Sequence, residues 1–275
     1  MARLILLTTP IGHLSDLTAR VKEALQVGVH FAVEDSRTFR EMLHKLGIDT
    51  QTKHILSLHD QSSQAKWERL IDVIHQGSDL YVCSEAGSPV LSDPAYPLVR
   101  LASEKGIAIE SYSGISSVTM ALELSALPPL PFQFHGFLPR ESGKIAQYFL
   151  GLGQGTHIFF EAANRLEGTL EQAVASFPEA EFAVVKEMTK SFERVWRFRA
   201  QGYEPIQLEN LRGEFVWLMH LPRDPRPHVP ARIVELAQEM MKTGANTKSV
   251  SKLLGEILDR PSKEIYSELS RGDKL

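Results

Sequence analysis

Short, continuous apolar runs alternate with stretches whose apolar positions recur every three or four residues, and this alternation organises the chain up to about residue 112. "RLILLTT" (Arg3–Thr9) predicts a buried strand, and "LSDLTARVKEALQ" (Leu14–Gln26) a helix capped at Ser15 or Asp16 with Leu17, Val21 and Leu25 on one face. The same reading makes "HFAVE" a strand and "SRTFREMLHKLG" a helix ending at Gly47. "QAKWERLIDVIHQG" follows as a helix ending at Gly77, "DLYVCS" as a strand, "AYPLVRLASEKG" as a helix ending at Gly106, and "IAIESY" as a strand. Strands and helices alternating in this way, with glycine at the helix C-caps, predict a mostly parallel sheet covered on both faces.

The pattern changes at "LPPLPFQF" (127–134), where three prolines break a helix and introduce a new strand. Beyond it "FQFHGFL", "THIFFE", "EFAVVKEM", "FERVWRFRA" and "GEFVWLMHL" read as strands, with helices near 141–150 and 164–176. Strands that follow one another without helices imply an antiparallel component, hence a mixed second sheet. "PRDPRPHVP" (Pro222–Pro230) reads as a linker, after which "ARIVELAQEMMKTG", "TKSVSKLLGEIL" and "SKEIYSELS" predict three short helices of helix-turn-helix character. The expected division is an N-terminal α/β domain over 1–112, a second mixed α/β domain over 113–229 and a small helical appendage over 230–275, with the binding cleft between the first two.

Composition narrows the functions open to such a fold. With 43% hydrophobic and 23% charged residues, the 275-residue chain has the make-up of a globular protein. Its net charge of −4, with no strongly basic domain, argues against a dedicated nucleic-acid binder and confines any RNA contact to a local patch. Cys83 is the single cysteine, which leaves no disulfide framework and no cysteine-rich zinc site. His13, His54, His59, His135 and His157 are scattered without a helical pair beside a carboxylate, so no metal is expected to take part. The apolar run in "MARLILLTTPIG" is too short for a signal sequence or a membrane span, and the expected location is cytoplasmic, with no membrane partner.

Several common chemistries lack their motifs. No G-x-G-x-x-G follows the first strand, no G-x-x-x-x-G-K-[ST] occurs, and "GISSV" (Gly114–Val118) misses G-x-S-x-G at its last position. An ordered set of segments is present instead: "TTPIGHLSDLT" (8–18), "EDSRTFREMLHKLGI" (34–48), "SEAGSPVLSDPAYPLVR" (84–100), "SGISSVTMAL" (113–122), "HGFLPRESGK" (135–144), "FFEAANRLEGTL" (159–170), "KEMTKSFE" (186–193) and "RGEF" (212–215). Together they resemble the tetrapyrrole-methylase superfamily of S-adenosylmethionine-dependent methyltransferases. The likeness is to its bacterial branch that 2′-O-methylates a cytidine ribose of small-subunit (16S) ribosomal RNA. "TPIGHLSDLT" carries the likeness to that branch, where porphyrin-methylating members usually have a G-x-G-x-G-D-like loop. Two segments depart from it: Ser84-Glu85-Ala86-Gly87-Ser88-Pro89 stands where S-D-A-G-T-P is usual, and "LHDQ" (Leu58–Gln61) where H-N-E is common.

The resemblance implies S-adenosyl-L-methionine as cofactor, small-subunit ribosomal RNA and not DNA as substrate, and a homodimer. A zwitterionic ligand carrying a sulfonium, a ribose and an adenine needs close backbone approach, hydroxyl acceptors and apolar walls. Gly87 permits such approach and Pro89 fixes the turn, while the alternative is that Ser84–Pro89 is only a turn and Ser92-Asp93-Pro94 only a helix cap. Glu85 suits an ammonium or hydroxyl, while Ser116 and Ser117 suit the ribose or carboxylate, and both loops follow strand C-termini, where open α/β sheets bind ligands. With Pro10, Ser88, Phe160 and Met188 these form the expected cofactor set. A neutral ribose hydroxyl is a poor nucleophile, so a base or hydrogen-bond acceptor is expected among Glu161, Lys186 and Glu187. Glu161 has a structural alternative in pairing with Arg165 one turn on, and Lys186 and Glu187 in forming a solvated strand end.

For RNA, "KEMTKSFERVWRFR" (186–199) interleaves Lys190, Arg194 and Arg197 with Phe192, Trp196 and Phe198, a pattern suited to phosphate contact and base stacking or, alternatively, to a strand with core aromatics. Arg140 and Lys144 form a second candidate loop. Arg37 and Arg40, and Lys248 and Lys252, suit either RNA or ordinary surface pairing. Two other activities remain open: methylation of a tetrapyrrole carbon or other small molecule, and a catalytically silent ribosome-binding factor.

Overall fold

The computed structural model describes residues 2–58, 63–205, 212–222, 231–258 and 260–271; most of "LHDQ" and of the 222–230 linker falls outside them. The chain forms two compact units, Met1–Leu221 and Pro222–Leu275. Residues 1–112 and 113–221 each contribute one sheet to the first unit.

The first sheet holds β1 (Leu4–Leu7), β2 (His30–Val33), β3 (His54–Ser57), β4 (Leu80–Cys83) and β5 (Ile109–Tyr112) in the order β3-β2-β4-β1-β5, every pairing parallel. Its central strands are apolar at successive positions because both faces are covered. Leu4, Leu80 and Val82 pack against Trp67, Leu70 and Ile71 of α3 (Gln64–His75) and Leu98 of α4 (Tyr96–Glu104). Ile5, Leu7 and Phe31 point the other way, onto Val21 and Leu25 of α1 (Ala19–Val27) and Phe39 and Leu43 of α2 (Ser36–Lys45).

Two local differences from expectation have physical causes. Helix α1 begins at Ala19 with Thr18 as its cap, the Thr18 hydroxyl accepting from the Val21 amide. Residues 14–16 form a separate 3-10 turn in which the His13 ring accepts from Ser15, so neither Ser15 nor Asp16 caps the helix. Strand β3 goes beyond the elements the pattern predicts because "HILS" neither alternates nor forms an unbroken apolar run, and its register beside β2 pairs His30 with His54.

The second sheet is mixed, as the run of consecutive strands implies. Strands β6 (Phe132–Phe137), β7 (Gly155–Ala162), β8 (Glu181–Lys186), β9 (Arg194–Arg199) and β10 (Glu214–Leu221) lie in the order β6-β7-β10-β8-β9, with β6 and β7 parallel and the other pairs antiparallel. One face, with Phe159, Phe182 and Trp217, packs on α6 (Ser142–Phe149) and α7 (Leu166–Ser176). The other, with Ile158, Val185 and Leu218, packs on α5 (Ser117–Ser125) and on Ile11 from the β1–α1 loop. That last contact brings the strand ends of the first sheet against the second.

The second unit contains α8 (Ala231–Lys242), α9 (Thr247–Leu258) and α10 (Ser262–Arg271), the three expected helices. Ala237, Val250, Leu254 and Ile265 form its core, Asn246 accepts from the Lys248 amide at the start of α9, and Arg260 holds Glu268 at 2.6 Å. No helix among the described residues is long and apolar enough to cross a membrane.

Candidate active site

A cavity of about 720 Å³ lies where the two sheets meet, within the range that holds a cofactor-sized ligand. Its first-sheet side is lined by loops that leave strand C-termini and by residues of the helix at 36–45, and its second-sheet side by strand faces with Met188 and Gly213 from loops. Pro10, Glu85, Gly87, Ser88, Ser116, Ser117, Phe160 and Met188, the residues expected at the cofactor, all line it.

The loop after β4 has its shape because its buried polar groups find partners in the loop after β1. Thr9 and Gly87 exchange backbone hydrogen bonds at 2.9 and 3.1 Å, a short antiparallel bridge beside a parallel sheet. The Ser84 hydroxyl donates to the Gly87 carbonyl at 3.0 Å. Gly87 sits at φ +82°, where a side chain would be strained. Next to it Glu85 is exposed; its amide donates to Glu34 Oε2 at 3.2 Å and its carboxylate accepts from Thr38 at 3.4 Å. Asp35, in "EDSRTFR", caps α2 by accepting from the Arg37 and Thr38 amides, while Arg37 and Arg40 are exposed. Ser116 precedes α5 and makes no side-chain cap bond, which leaves the first amides of a helix beside the cavity.

The hairpin between β8 and β9 delivers Met188 to the cavity through strained backbone. Glu187 and Thr189 adopt φ of +52° and +64°, unusual for residues with side chains. The Glu187 amide donates to the Glu214 carbonyl at 2.9 Å, the Thr189 amide donates to Glu193 at 2.8 Å, and the Thr189 hydroxyl accepts from the His13 amide at 3.0 Å. Gly12 leaves room for this junction, since a Cβ there would fall 2.5 Å from Thr189 Oγ1.

The expected proton acceptors are all engaged. Glu161 is 2% exposed; its oxygens accept from the Ala162 amide and the Thr169 hydroxyl, both at 2.9 Å, and Arg165 lies 3.4 Å away. Pairing with Arg165 is thus realised. Glu187 accepts from the Glu214 amide at 2.9 Å and from Lys190 at 3.2 Å. Burial works to raise its carboxyl, but the Glu214 amide and Lys190 outweigh burial and hold it below the usual range. Lys186 has its ammonium 5.8 Å from the Phe215 ring and does not line the cavity.

The expected RNA residues separate into two groups. Lys190 sits between Glu187 and Glu214, at 3.2 and 3.1 Å; burial opposes its charge, but the two acids outweigh it and raise its pKa. Arg197 donates to the carbonyls of Leu124 and Ser125 and so closes the C-terminal end of α5, which occupies its guanidinium with backbone. Trp196 and Phe198 pack on the core, Phe198 stacking on Phe182 at 5.3 Å. Arg194, over the Trp196 ring at 4.9 Å, Arg140, Lys144 beside Glu141, and Phe192 at 77% exposure remain at the surface, as do Lys248 and Lys252 in the second unit.

Glu34, Thr38, Leu91, Phe137 and Gly213 also line the cavity without having been singled out from the sequence. Gly213 carried a signal, in "RGEF": its φ is +117°, and a Cβ would fall 2.7 Å from Glu187 Oε1. Among the described residues no group of three or more His, Cys, Asp or Glu side chains is placed to hold a metal ion.

Residues 3–202 match the family of tetrapyrrole (corrin/porphyrin) methylases. A protein of Xylella fastidiosa named ribosomal RNA small subunit methyltransferase I is 33% identical over 95% of this chain and 96% of its own length. One of the same name from Escherichia coli O157:H7 is 35% identical over 70% of this chain and 68% of its own. Among solved structures, the uroporphyrin-III C-methyltransferase of Thermus thermophilus complexed with S-adenosylhomocysteine superposes with a TM-score of 0.53 at 14% identity. That alignment covers 80% of this chain and 97% of the other, a likeness of fold.

Proposed function

We propose, from the premise that this chain belongs to the tetrapyrrole (corrin/porphyrin) methylase family, that it transfers a methyl group from S-adenosyl-L-methionine to the 2′-hydroxyl of a cytidine in small-subunit ribosomal RNA. The observation that carries the proposal is the convergence of Pro10, Glu85, Gly87, Ser88, Ser116, Ser117, Phe160 and Met188 on one cavity. The relatives named for small-subunit ribosomal RNA methylation support the choice of acceptor over a tetrapyrrole.

The residues present fit the cofactor. Gly87 gives close backbone access, Glu85 and the Ser116 and Ser117 hydroxyls offer partners for its ammonium, hydroxyls and carboxylate, and Ile11, Phe160 and Met188 supply apolar contact. The amides that open α5 favour the carboxylate. When bound, the cofactor supplies a methyl already activated by its sulfonium. What remains for the protein is to hold the hydroxyl in line and keep water out. Glu161, through Thr169 and Arg165, fixes the end of β7 against α7, and Glu187, through Glu214 and Lys190, fixes the hairpin that carries Met188. Both are therefore positioning residues, and Lys186 lies outside the reacting volume. Arg140, Lys144 and Arg194 make phosphate contacts at the surface, with Lys190 and Arg197 serving the scaffold. The acting form is a homodimer in the cytoplasm, where ribosomal subunits are assembled.

The test is transfer of labelled methyl from S-adenosylmethionine to small subunits lacking the modification, followed by nuclease digestion. Label in 2′-O-methylcytidine is the expected outcome. Label on a base, or on porphyrinogens with none on RNA, overturns the proposal. Sedimentation of the purified protein checks the dimer.

A further inference from the structure

We propose that Phe137 is the platform on which the unpaired base of the acceptor nucleotide stacks, with Leu91 giving it a second apolar contact. The inference rests on the ribose-methylation proposal and adds a specificity-determining residue to that same cavity. Phe137 lines the cavity and yet is 60% exposed, whereas Phe160 is half-buried and Met188 only 7% exposed. An aromatic left open at the rim meets a ligand that arrives from outside and leaves again; the buried apolar residues suit the cofactor. Leu91, at 43% exposure, lines the same cavity.

The backbone is built to present this ring. In the parallel pair of β6 and β7, Phe134 stands opposite Ile158 and Phe137 opposite Phe160, so β6 carries one extra residue over that interval. Such bulges re-aim side chains and recur beside functional sites. Here the bulge contains Gly136, buried at φ +64°, where a Cβ would fall 3.2 Å from the Ser92 hydroxyl. Without the extra residue Phe137 would fall out of the alternation it shares with Phe134. With it, Phe134 and Phe137 both meet the Phe160 ring edge-on, at 4.8 and 5.6 Å. Adjacent His135 anchors the strand. The His157 Nε2–H donates to the Gly153 carbonyl at 2.8 Å, so the neutral His157 Nδ1 accepts from His135 Nε2–H at 2.9 Å, and the Tyr148 hydroxyl donates to His135 Nδ1 at 2.7 Å. A ring so placed, rigid behind and open in front, suits the face of a base that has left its stack.

The experiment compares wild type, Phe137→Ala, Phe137→Leu and Phe137→Tyr in methyl transfer at saturating S-adenosylmethionine. The substrates are small subunits reconstituted with either the natural target nucleotide or an abasic ribose that keeps its 2′-hydroxyl. Loss of one base–aromatic stack should lower kcat/KM by about tenfold or more. Phe137→Ala should show this loss on the natural substrate and almost none on the abasic one; Phe137→Tyr should retain activity, Phe137→Leu should fall between, and calorimetric cofactor binding should be unchanged. Equal losses on both substrates, or cofactor binding weakened in parallel, overturn the stacking role. Absence of transfer to RNA by the wild type overturns the functional proposal and this inference with it, whereas transfer without the coupling overturns only the latter.

Discussion

Where the first sheet reaches the cavity it does so through loops and helix ends beyond its strands: the Thr9–Gly87 bridge, the loop from Glu85 to Ser88, side chains such as Ile11, Met42 and Leu91, and the uncapped start of α5. The second sheet meets the same cavity with Phe160, Phe215 and Val216, residues of β7 and β10, and with Met188 from a strained hairpin. Loops beyond a buried parallel sheet can change without disturbing its core. A wall made from a sheet's own face cannot, because the side chains that line the cavity belong to strands that also fill the core. Changes on the first side should therefore alter binding more than stability, and changes on the second should alter stability first.

The largest expected effect lies in the second sheet. Trp217, fully buried and stacked on Phe159 at 4.3 Å, should cost about 3–5 kcal/mol when replaced by alanine, read from urea unfolding. Trp217→Phe should cost far less, since it keeps an aromatic ring and removes a buried indole N–H that has no partner among the described residues. Glu161→Ala comes next, at about 2–4 kcal/mol, because Arg165 and Thr169 lose their shared partner. Glu161→Gln should keep most of the stability and activity; normal unfolding with a hundredfold loss of transfer would make Glu161 catalytic after all.

On the first side, Gly87→Ala forces a side chain into left-handed backbone, at about 1–2 kcal/mol, and should weaken S-adenosylmethionine binding more visibly than it lowers the unfolding midpoint. Calorimetry and urea unfolding on the same variant compare the two directly, and an effect on stability alone would erase the distinction between the sheets.

Acid gives a smaller effect; it acts on the second sheet at His135, and burial lowers the pKa of His30 in the first sheet as well. Burial, with His157 nearby, lowers the His135 pKa to about 4, against about 6.5 in the unfolded chain. Between those values the unfolded chain takes up a proton that the folded chain refuses. Stability should be full above about pH 6.5 and decline toward pH 4, and His135→Gln should flatten that part of the profile. The smallest expected effect is at the surface: Arg194→Ala should weaken association with small subunits a few-fold, more at low salt than at high.

Much of the fold could be read from periodicity because the central strands are buried on both faces and leave unbroken apolar runs. Strand β3 escaped because "HILS" neither alternates nor forms an unbroken apolar run, unlike "IAIESY" at the opposite edge, and the α1 cap was displaced because a 3-10 turn took Ser15 and Asp16. The cavity residues at 85–88 and 116–117 were legible through the ordered likeness of their segments to the family, since a glycine and small residues after a strand serve equally well as a plain turn. The basic and aromatic run at 186–199 was harder to read. Whether an arginine meets phosphate or a helix's last carbonyls depends on where α5 ends, and that is tertiary information; Arg197 went to the carbonyls. Phe137 was hidden for a related reason, since a bulge changes which side of a strand a residue occupies while leaving the sequence pattern unmarked.

The lining that begins at Pro10 is completed only at Val216, on the strand that sits at the centre of the second sheet. During synthesis, a nascent chain that has not yet released β10 lacks the central partner of β7 and β8, and with it one wall of the cavity. Full ligand binding thus requires completion of the first unit: a truncated product ending before residue 214 keeps the loop around Gly87 and lacks Glu214, Phe215 and Val216 of the lining.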